Sequence, residues 1–443
     1  MGGNAFLTHS PPLRTPRMPF AIYRLILENA LAILRQNFTR VAAPLEAPSK
    51  PDYGDVDILV SSPLSPARNP SVKPKAEVAE LIARDLGARA WIPGQRSQEM
   101  NFAVPWPRSD DGEEGEDAAG GGEERYVQLD LHVLESEKEF KWHLFRAAHG
   151  DLWNILGSTI RRFGLTVNDK GMFLRIPSIE AFDRKKALVY LTDDSDAILD
   201  FLGLESARWW KQFGSIEEMF EYAAGCRLFR VKPEKEEGEL EGDVMLDEGR
   251  QEGGEAGKKK LKHNDRQRMS KRPIFAMWME EFIPKCRAEG RFLEMKTTRE
   301  QIQQEALQTF GGREEFEKRE REWKLEKHKD QMWRTVIKGT VPQDLDPVVR
   351  GATCRYFKGI LMDGDILWHG EVPKAAERNE DGFWDLGAVQ AFVESNIEEA
   401  QRLGMEWQQA RAMASMRAKA EKKAIAMAEA NHERPPEDAM VPI

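Results

Sequence analysis

Asp55 and Asp57 stand one residue apart at the start of an apolar segment that runs to Val60. Side chains of a β-strand alternate between two faces, so both carboxylates project from one face while Val56 and Ile58 form the other. Two neighbouring carboxylates repel each other unless a cation lies between them, and hard oxygen ligands in this arrangement favour Mg²⁺ or Mn²⁺. The pattern is equally typical of a surface strand that begins with a Gly-Asp turn.

A second predicted strand, residues 125–133, alternates between apolar and polar side chains and places Asp130 on its polar face. If the two strands are neighbours, Asp130 joins the first two carboxylates. Three such carboxylates can hold one or two divalent ions, which bridge a triphosphate, activate a hydroxyl and stabilise the leaving pyrophosphate. His132 shares this face, where it either contacts the site or packs at the edge of the domain.

The first residues of the chain and a lysine near the acidic pair are candidates for binding phosphate. Gly2 and Gly3 precede the small polar residue Asn4, and such a turn lets main-chain N–H groups approach phosphate oxygens. The alternative is a frayed terminus. N-myristoylation is not expected, because position 6 is Phe rather than Ser or Thr. Lys50 either meets the triphosphate or is solvated.

These motifs together resemble the nucleotidyltransferase (DNA polymerase β-like) superfamily, and more narrowly its uncharacterised members in fungi and phages. The likeness comprises Gly-Gly-Asn-Ala at 2–5, Lys-Pro-Asp-Tyr-Gly-Asp-Val-Asp-Ile-Leu-Val at 50–60, the apolar-Asp-apolar motif at 129–131, and residues 140–174. It covers roughly the first half of the chain. The segment between glycine turn and acidic pair is longer than in most members and contains a predicted helix.

The resemblance implies a role for each matching residue. A glycine turn would hold the phosphates of the incoming nucleotide, and three carboxylates would hold the metal ions. The residues in these roles are Gly2, Gly3 and Asn4 for the phosphates, and Asp55, Asp57 and Asp130 for the metals.

Composition limits the classes of function. The chain has 443 residues, enough for two or three domains, with 41% hydrophobic and 32% charged residues. The net charge of −10 disfavours broad electrostatic binding of nucleic acid, although binding in a local basic channel is an alternative that composition does not exclude. The three cysteines lie far apart, which indicates neither a zinc site nor a disulfide framework and favours a cytoplasmic or nuclear protein. No apolar run long enough for a membrane span and no secretory signal are found.

The predicted fold class is α/β (α+β): a mixed, partly antiparallel sheet with flanking helices, followed by a mainly α-helical C-terminal half. Helices are predicted at 19–38, 75–86 and 386–430, and a further strand at 89–92. The predicted domains are a nucleotidyltransferase-like domain at 1–135 with a disordered acidic loop at about 109–124, a helical domain at 136–233, a flexible charged linker at 234–272, and a helical region at 273–443. The basic stretch 258–272 is a nuclear import signal, a nucleic-acid contact or a solvated linker.

The sequence therefore predicts Mg²⁺-dependent transfer of a nucleotidyl group from a nucleoside triphosphate to a hydroxyl of an unidentified acceptor. Two alternatives stay open. One is a catalytically inactive protein of the same fold that binds a protein partner through its C-terminal helices. The other is a polymerase acting on RNA or DNA, which needs a basic groove beside the carboxylates and is not favoured by the acidic composition.

Overall fold

The structure, a computed structural model, describes residues 3–94, 99–107, 124–232 and 272–432. The chain divides into two compact units, Met1–Phe316 and Glu317–Ile443, called here the first and second units. The predicted loop at 109–124 and linker at 234–272 lie outside the described residues, apart from Glu124 and Arg272, and so does Gly2.

The first unit is built on a mixed five-stranded sheet with the order β1-β2-β5-β4-β3. Its strands are β1 (Phe38–Ala42), β2 (Val56–Pro63), β3 (Ala90–Pro93), β4 (Glu99–Pro105) and β5 (Tyr126–Leu134). β2 and β5 are parallel neighbours, whereas the other three pairs are antiparallel. The prediction of a mixed, partly antiparallel sheet is confirmed. β1 and β4 were not predicted.

Two helices cover one face of this sheet. They are α1 (Phe20–Leu34) and α2 (Lys75–Leu86), and their apolar faces pack on the buried strand residues Val56, Ile58, Leu129 and Leu131. The bounds of α2 match its prediction, because Gly87 adopts the left-handed conformation (φ 63°) that ends a helix. Helix α1 ends earlier than predicted, since the chain turns at residues 35–37 and enters β1 at Phe38.

Two segments among the described residues cover the ends of the opposite face. Helix α3 (Glu137–Ala147) begins where the Ser136 hydroxyl accepts a hydrogen bond from the Glu139 N–H. Its Phe140 packs on Leu59 and Leu134, near the ends of β2 and β5. The N-terminal segment covers the other end, where Phe6 is fully buried against Ala103 and Tyr126. The polar side chains of β2 and β5 lie between these two covers.

The remainder of the first unit contains a second, three-stranded antiparallel sheet of β6 (Leu165–Asn168), β7 (Gly171–Arg175) and β8 (Leu188–Thr192). The segment 136–233, predicted as helical, is therefore mixed. Its further helices are α4 (Leu152–Ile160), α5 (Pro177–Glu180), α6 (Ser195–Phe201), α7 (Ser206–Trp209) and α8 (Ile216–Ala224).

Residues 272–316 also belong to the first unit and pack on this second sheet and its helices. The added elements are α9 (Pro273–Met277), a π-helical turn (Trp278–Phe282), α10 (Ile283–Ala288) and α11 (Arg299–Phe310). The Arg299 guanidinium lies 2.5 Å from the carboxylate of Glu180, a residue that is 7% exposed. Arg227 makes a second ion pair, with Glu305 at 2.7 Å.

The second unit is mainly helical in its described residues, with connecting loops at 341–346 and 364–385. Its elements are the part of α12 (Arg313–Gln331) from residue 317 onward, a π-helical turn (Met332–Ile337), α13 (Lys338–Thr340), α14 (Pro347–Lys358), a second π-helical turn (Gly359–Asp363), a 3₁₀ turn (Lys374–Ala376), α15 (Leu386–Ser395) and α16 (Ile397–His432). The single helix predicted over 386–430 is two helices, because Asn396 leaves the helical conformation and its amide caps the Phe392 carbonyl. Among the described helices, none is long and apolar enough to cross a membrane.

Candidate functional site

The central strand pair brings two of the predicted carboxylates together. Asp57 on β2 and Asp130 on β5 are register partners across the parallel pair, so they project from the same face about 5 Å apart along the hydrogen-bonding direction. Asp55 precedes β2 and lies close enough for its charge to raise the pKa of both Asp57 and Asp130. These residues, called here the carboxylate cluster, occupy the polar strip between α3 and the N-terminal segment.

Within the carboxylate cluster, the ionised form is most strongly disfavoured at Asp57. Its pKa is raised from 3.8 to about 7, first because of desolvation, then because of the charges of Asp55, Asp130 and Glu46. Yet 47% of its side chain is accessible. The Asp57 carboxylate can therefore be reached by a ligand, although its ionised form is poorly solvated.

Asp130 is the buried and oriented member of the carboxylate cluster. It is 7% exposed, and desolvation raises its pKa to about 6, although hydrogen bonds from two neighbouring amides oppose the rise. The Asn101 amide donates to Asp130 Oδ1 at 2.6 Å, and the Gln128 amide donates to Oδ1 at 2.9 Å and to Oδ2 at 3.0 Å. Each carboxylate oxygen has two lone pairs, so Oδ2 keeps one for a further ligand.

His132 lies beside Asp57, as its position on the polar face of β5 suggested. Its Nε2 is 4.0 Å from Asp57 Oδ1. Desolvation lowers the pKa of His132, although the charge of Glu99, its register partner on β4, opposes this. The imidazole is therefore neutral at physiological pH, and a neutral imidazole can accept a proton.

The N-terminal segment reaches the carboxylate cluster. Gly3 is buried with φ +88°, and a Cβ there would lie 2.7 Å from the carbonyl oxygen of Gly54, the residue before Asp55. Thr15 donates a short hydrogen bond to the Gly3 carbonyl, and the Ala5 N–H donates to Gln128 Oε1 at 2.9 Å. The segment from Gly3 onward is thus held in place rather than frayed.

Of the other predicted phosphate-binding residues, Asn4 is exposed next to Gly3, and Gly2 lies outside the described residues. Lys50 is placed near the carboxylate cluster, because its charge lowers the pKa of both Asp55 and Asp57. Its ammonium pairs with Glu46 at 2.9 Å and lies 4.6 Å from the centre of the Tyr53 ring. Lys50 is therefore held at the site rather than freely solvated.

An aromatic stack adjoins this ion pair. The rings of Tyr23 and Tyr53 are stacked with centroids 4.0 Å apart, and the Tyr23 hydroxyl donates to Glu46 Oε1 at 3.1 Å. Desolvation, the Glu46 charge and the more distant Asp57 charge all raise the pKa of Tyr23, so its hydroxyl stays protonated. The stack fixes Glu46, which in turn fixes Lys50.

Sequence reasoning missed three polar residues of the site: Glu46, Glu99 and Asn101. The two on β4 carry a short signal, because residues 99–102 alternate polar and apolar side chains as a half-buried strand does. Glu46 has no such signal. It lies in a Pro- and Ala-rich connection, and only the fold brings it beside Asp57.

Among the described residues, no group of three or more His, Cys, Asp and Glu side chains is arranged to hold a metal ion on its own. Mg²⁺, however, is commonly bound through one or two carboxylates, with water and substrate phosphates as the other ligands. The paired Asp57 and Asp130 fit that mode, since a cation beside them would relieve the repulsion that raises the pKa of Asp57.

No protein-family model matches the sequence, and a comparison with curated proteins finds no match.

Proposed function

We propose that this chain is a Mg²⁺-dependent nucleotidyltransferase of the DNA polymerase β-like type. It would transfer a nucleotidyl group from a nucleoside triphosphate to a hydroxyl of an acceptor. One observation carries the proposal: Asp57 and Asp130 are register partners on parallel strands, with Asp55 beside them. The approach of the Gly3 main chain to Gly54 supports it, because it puts a glycine turn next to these carboxylates.

Each group of residues would have its own role in the proposed reaction. Asp55, Asp57 and Asp130 would hold Mg²⁺ or Mn²⁺, and the bound ions would offset the charge of the triphosphate and of the leaving pyrophosphate. The turn at Gly3 and Asn4 would donate main-chain N–H groups to the β and γ phosphates.

Two further groups lie close enough to contribute. Lys50 would contact the triphosphate, because it is already oriented beside the acidic pair. The acceptor hydroxyl has two candidate proton acceptors: the carboxylate of Asp130, and the neutral imidazole of His132. Phe20 lies at the edge of the same region. Its side chain is 56% exposed, and the centre of its ring is 6.0 Å from that of the Tyr53 ring.

The test is turnover of nucleoside triphosphates labelled at the α-phosphate, with Mg²⁺ and candidate acceptors. Replacing Asp57 by Ala should lower the rate at least about 100-fold, because loss of a metal ligand removes several kcal/mol of transition-state stabilisation. Asp52→Ala is the matched control, since Asp52 pairs with Arg17 at 2.7 Å and should leave the rate nearly unchanged. Equal turnover by the wild type and Asp57→Ala would refute the proposal.

A catalytically inactive protein of this fold, acting as a binding module, is the second candidate. One observation favours it: both carboxylate oxygens of Asp130 already accept hydrogen bonds from Asn101 and Gln128. Calorimetry with Mg²⁺-ATP separates the two proposals. Heat of binding that disappears in Asp57→Ala supports the enzyme, whereas no heat, together with a stable protein complex isolated through the helices of the second unit, supports the binding module.

A further inference from the structure

The second unit contains a cavity of about 370 Å³ that is lined by basic and apolar side chains. Its basic residues are Lys338, Arg350 and Arg355, and its apolar wall consists of Trp333, Leu345 and Pro347. The volume falls in the range of small-molecule sites. Local positive charge is unexpected here, because the chain as a whole carries a net charge of −10.

The three cations lie near one buried side chain of the cavity wall. Cys354 lies in the cavity wall and is 3% exposed, and desolvation raises the pKa of its thiol. The charges of Arg350, Lys338 and Arg355 each oppose that rise, so all three are within electrostatic range of the same sulfur. Within the described residues, none of the three has a carboxylate oxygen within 4.0 Å. Their charge is thus not neutralised by ion pairing there.

Arg350 is held in place by main-chain groups. Its Nε donates to the Pro342 carbonyl at 3.1 Å and its Nη2 donates to the Lys338 carbonyl at 2.7 Å. Two neutral acceptors orient the guanidinium without cancelling its charge, which leaves the other N–H donors for an anion. The carboxylate of the neighbouring Asp346 is engaged elsewhere, since it accepts from the N–H groups of Val348 and Val349.

The other two cations keep some freedom. Lys338 Nζ lies 4.6 Å from the centre of the Trp333 ring, an interaction that leaves its three N–H donors available. Arg355 donates from Nη2 to the Gln408 amide oxygen at 2.5 Å. Both side chains are exposed, whereas Arg350 is half-buried. The cavity thus has one fixed guanidinium at its wall and two adjustable cations at its rim.

We propose that this cavity binds the phosphate group of a small phosphorylated ligand. The fixed Arg350 guanidinium would contact the phosphate, because Arg presents paired donors that match the oxygens of a phosphate group. Lys338 and Arg355 would complete the neutralisation. Trp333, Leu345 and Pro347 would contact the part of the ligand that carries no charge, so an ester with an apolar group suits the cavity better than the bare ion.

Isothermal titration calorimetry on the full chain tests this, with inorganic phosphate and phenyl phosphate as probes. EDTA in the buffer removes metal-dependent binding at the carboxylate cluster, and chloride keeps the ionic strength constant. We expect phenyl phosphate to bind more tightly than inorganic phosphate. We expect Lys338→Gln to weaken binding about threefold to tenfold and Arg350→Gln about tenfold or more, as charge-assisted hydrogen bonds are lost.

The controls separate loss of the site from loss of the fold. Arg334→Gln is the matched control, because Arg334 is 74% exposed, pairs with Asp330 at 2.6 Å and does not line the cavity. Arg350→Gln also removes two contacts to main-chain carbonyls, so its circular dichroism must match the wild type. If Arg350→Gln does not fold, the affinity of Lys338→Gln alone tests the proposal, because in the part of the chain that the structure describes the Lys338 side chain makes no contact to a main-chain carbonyl. The proposal is overturned if neither probe binds, or if Lys338→Gln and Arg334→Gln bind the probes equally well.

Discussion

Replacing Asp57 by Asn should stabilise the first unit at neutral and alkaline pH when no divalent ion is present. The ionised Asp57 carboxylate is desolvated and repelled by Asp55, Asp130 and Glu46, and an amide of the same shape removes that cost. A pKa raised from 3.8 to about 7 corresponds to about 4 kcal/mol for a fully shielded group. Because 47% of the side chain is accessible, solvent screening reduces the expected gain to about 1–2 kcal/mol.

The gain should depend on pH with a defined sign. The pKa of Asp57 is higher in the folded state than in the unfolded chain, so the folded state holds this proton more tightly. The wild type therefore loses stability relative to Asp57→Asn as the pH rises from about 4 to 7, and the difference is constant above that. Added Mg²⁺ should reduce the difference, because it would bind the wild type and compensate the repulsion.

The two units need not unfold together, so the free energy of unfolding of the first unit must be read separately. Urea denaturation followed by hydrogen exchange and mass spectrometry of peptides from β2 and β5 provides this. Asp52→Asn is the matched control, because Arg17 lowers the pKa of Asp52 and its ionised form is favoured. Asp57→Asn that is no more stable than the wild type at about pH 8 in EDTA would show that the carboxylates do not repel as argued.

Two further predictions concern the packing of the first unit. Gly3→Ala should weaken nucleotide binding and destabilise the unit by about 1–3 kcal/mol, because its Cβ would lie 2.7 Å from the Gly54 oxygen at a positive φ. Gly87→Ala is the control and should cost only about 1 kcal/mol, because a Cβ there has nothing within 4 Å. Equal losses of unfolding free energy in denaturation would contradict the tight fit at Gly3. Arg299→Ala should lower the free energy of unfolding by about 3 kcal/mol at neutral pH, because the buried Glu180 carboxylate would lose a positive charge that compensates its own. Its effect should diminish as the pH falls through the lowered pKa of Glu180, and an acid-independent loss would contradict this.

The elements with a clean local pattern could be predicted from the sequence. The alternation along residues 125–133 identified β5 and the face on which Asp130 lies, and the helical spacing at 75–86 identified α2 with its bounds. Both signals are local, because burial of one face requires one residue in two along a strand, or three to four in two helical turns.

What the sequence could not supply is the pairing of distant segments. No local pattern shows that β2 and β5 are parallel neighbours, or that Asp57 and Asp130 share a register. Likewise, the three strands of the second sheet are short, with four or five residues each, and each contributes too few alternations to stand out among helices. Ion pairs such as Arg227–Glu305 also join residues far apart along the chain, and no local pattern indicates them.

The long last helix has a thermal consequence. Residues 409–426 of α16 are all exposed, so within the described residues this stretch buries little surface against the rest of the unit. Its stability there comes mainly from Ala-rich composition and main-chain hydrogen bonds, and helices of this kind are marginal in water. Warming should therefore shorten α16 gradually from its C-terminal end, turn by turn, and circular dichroism should lose amplitude along a sloping baseline well below the cooperative melting of either unit.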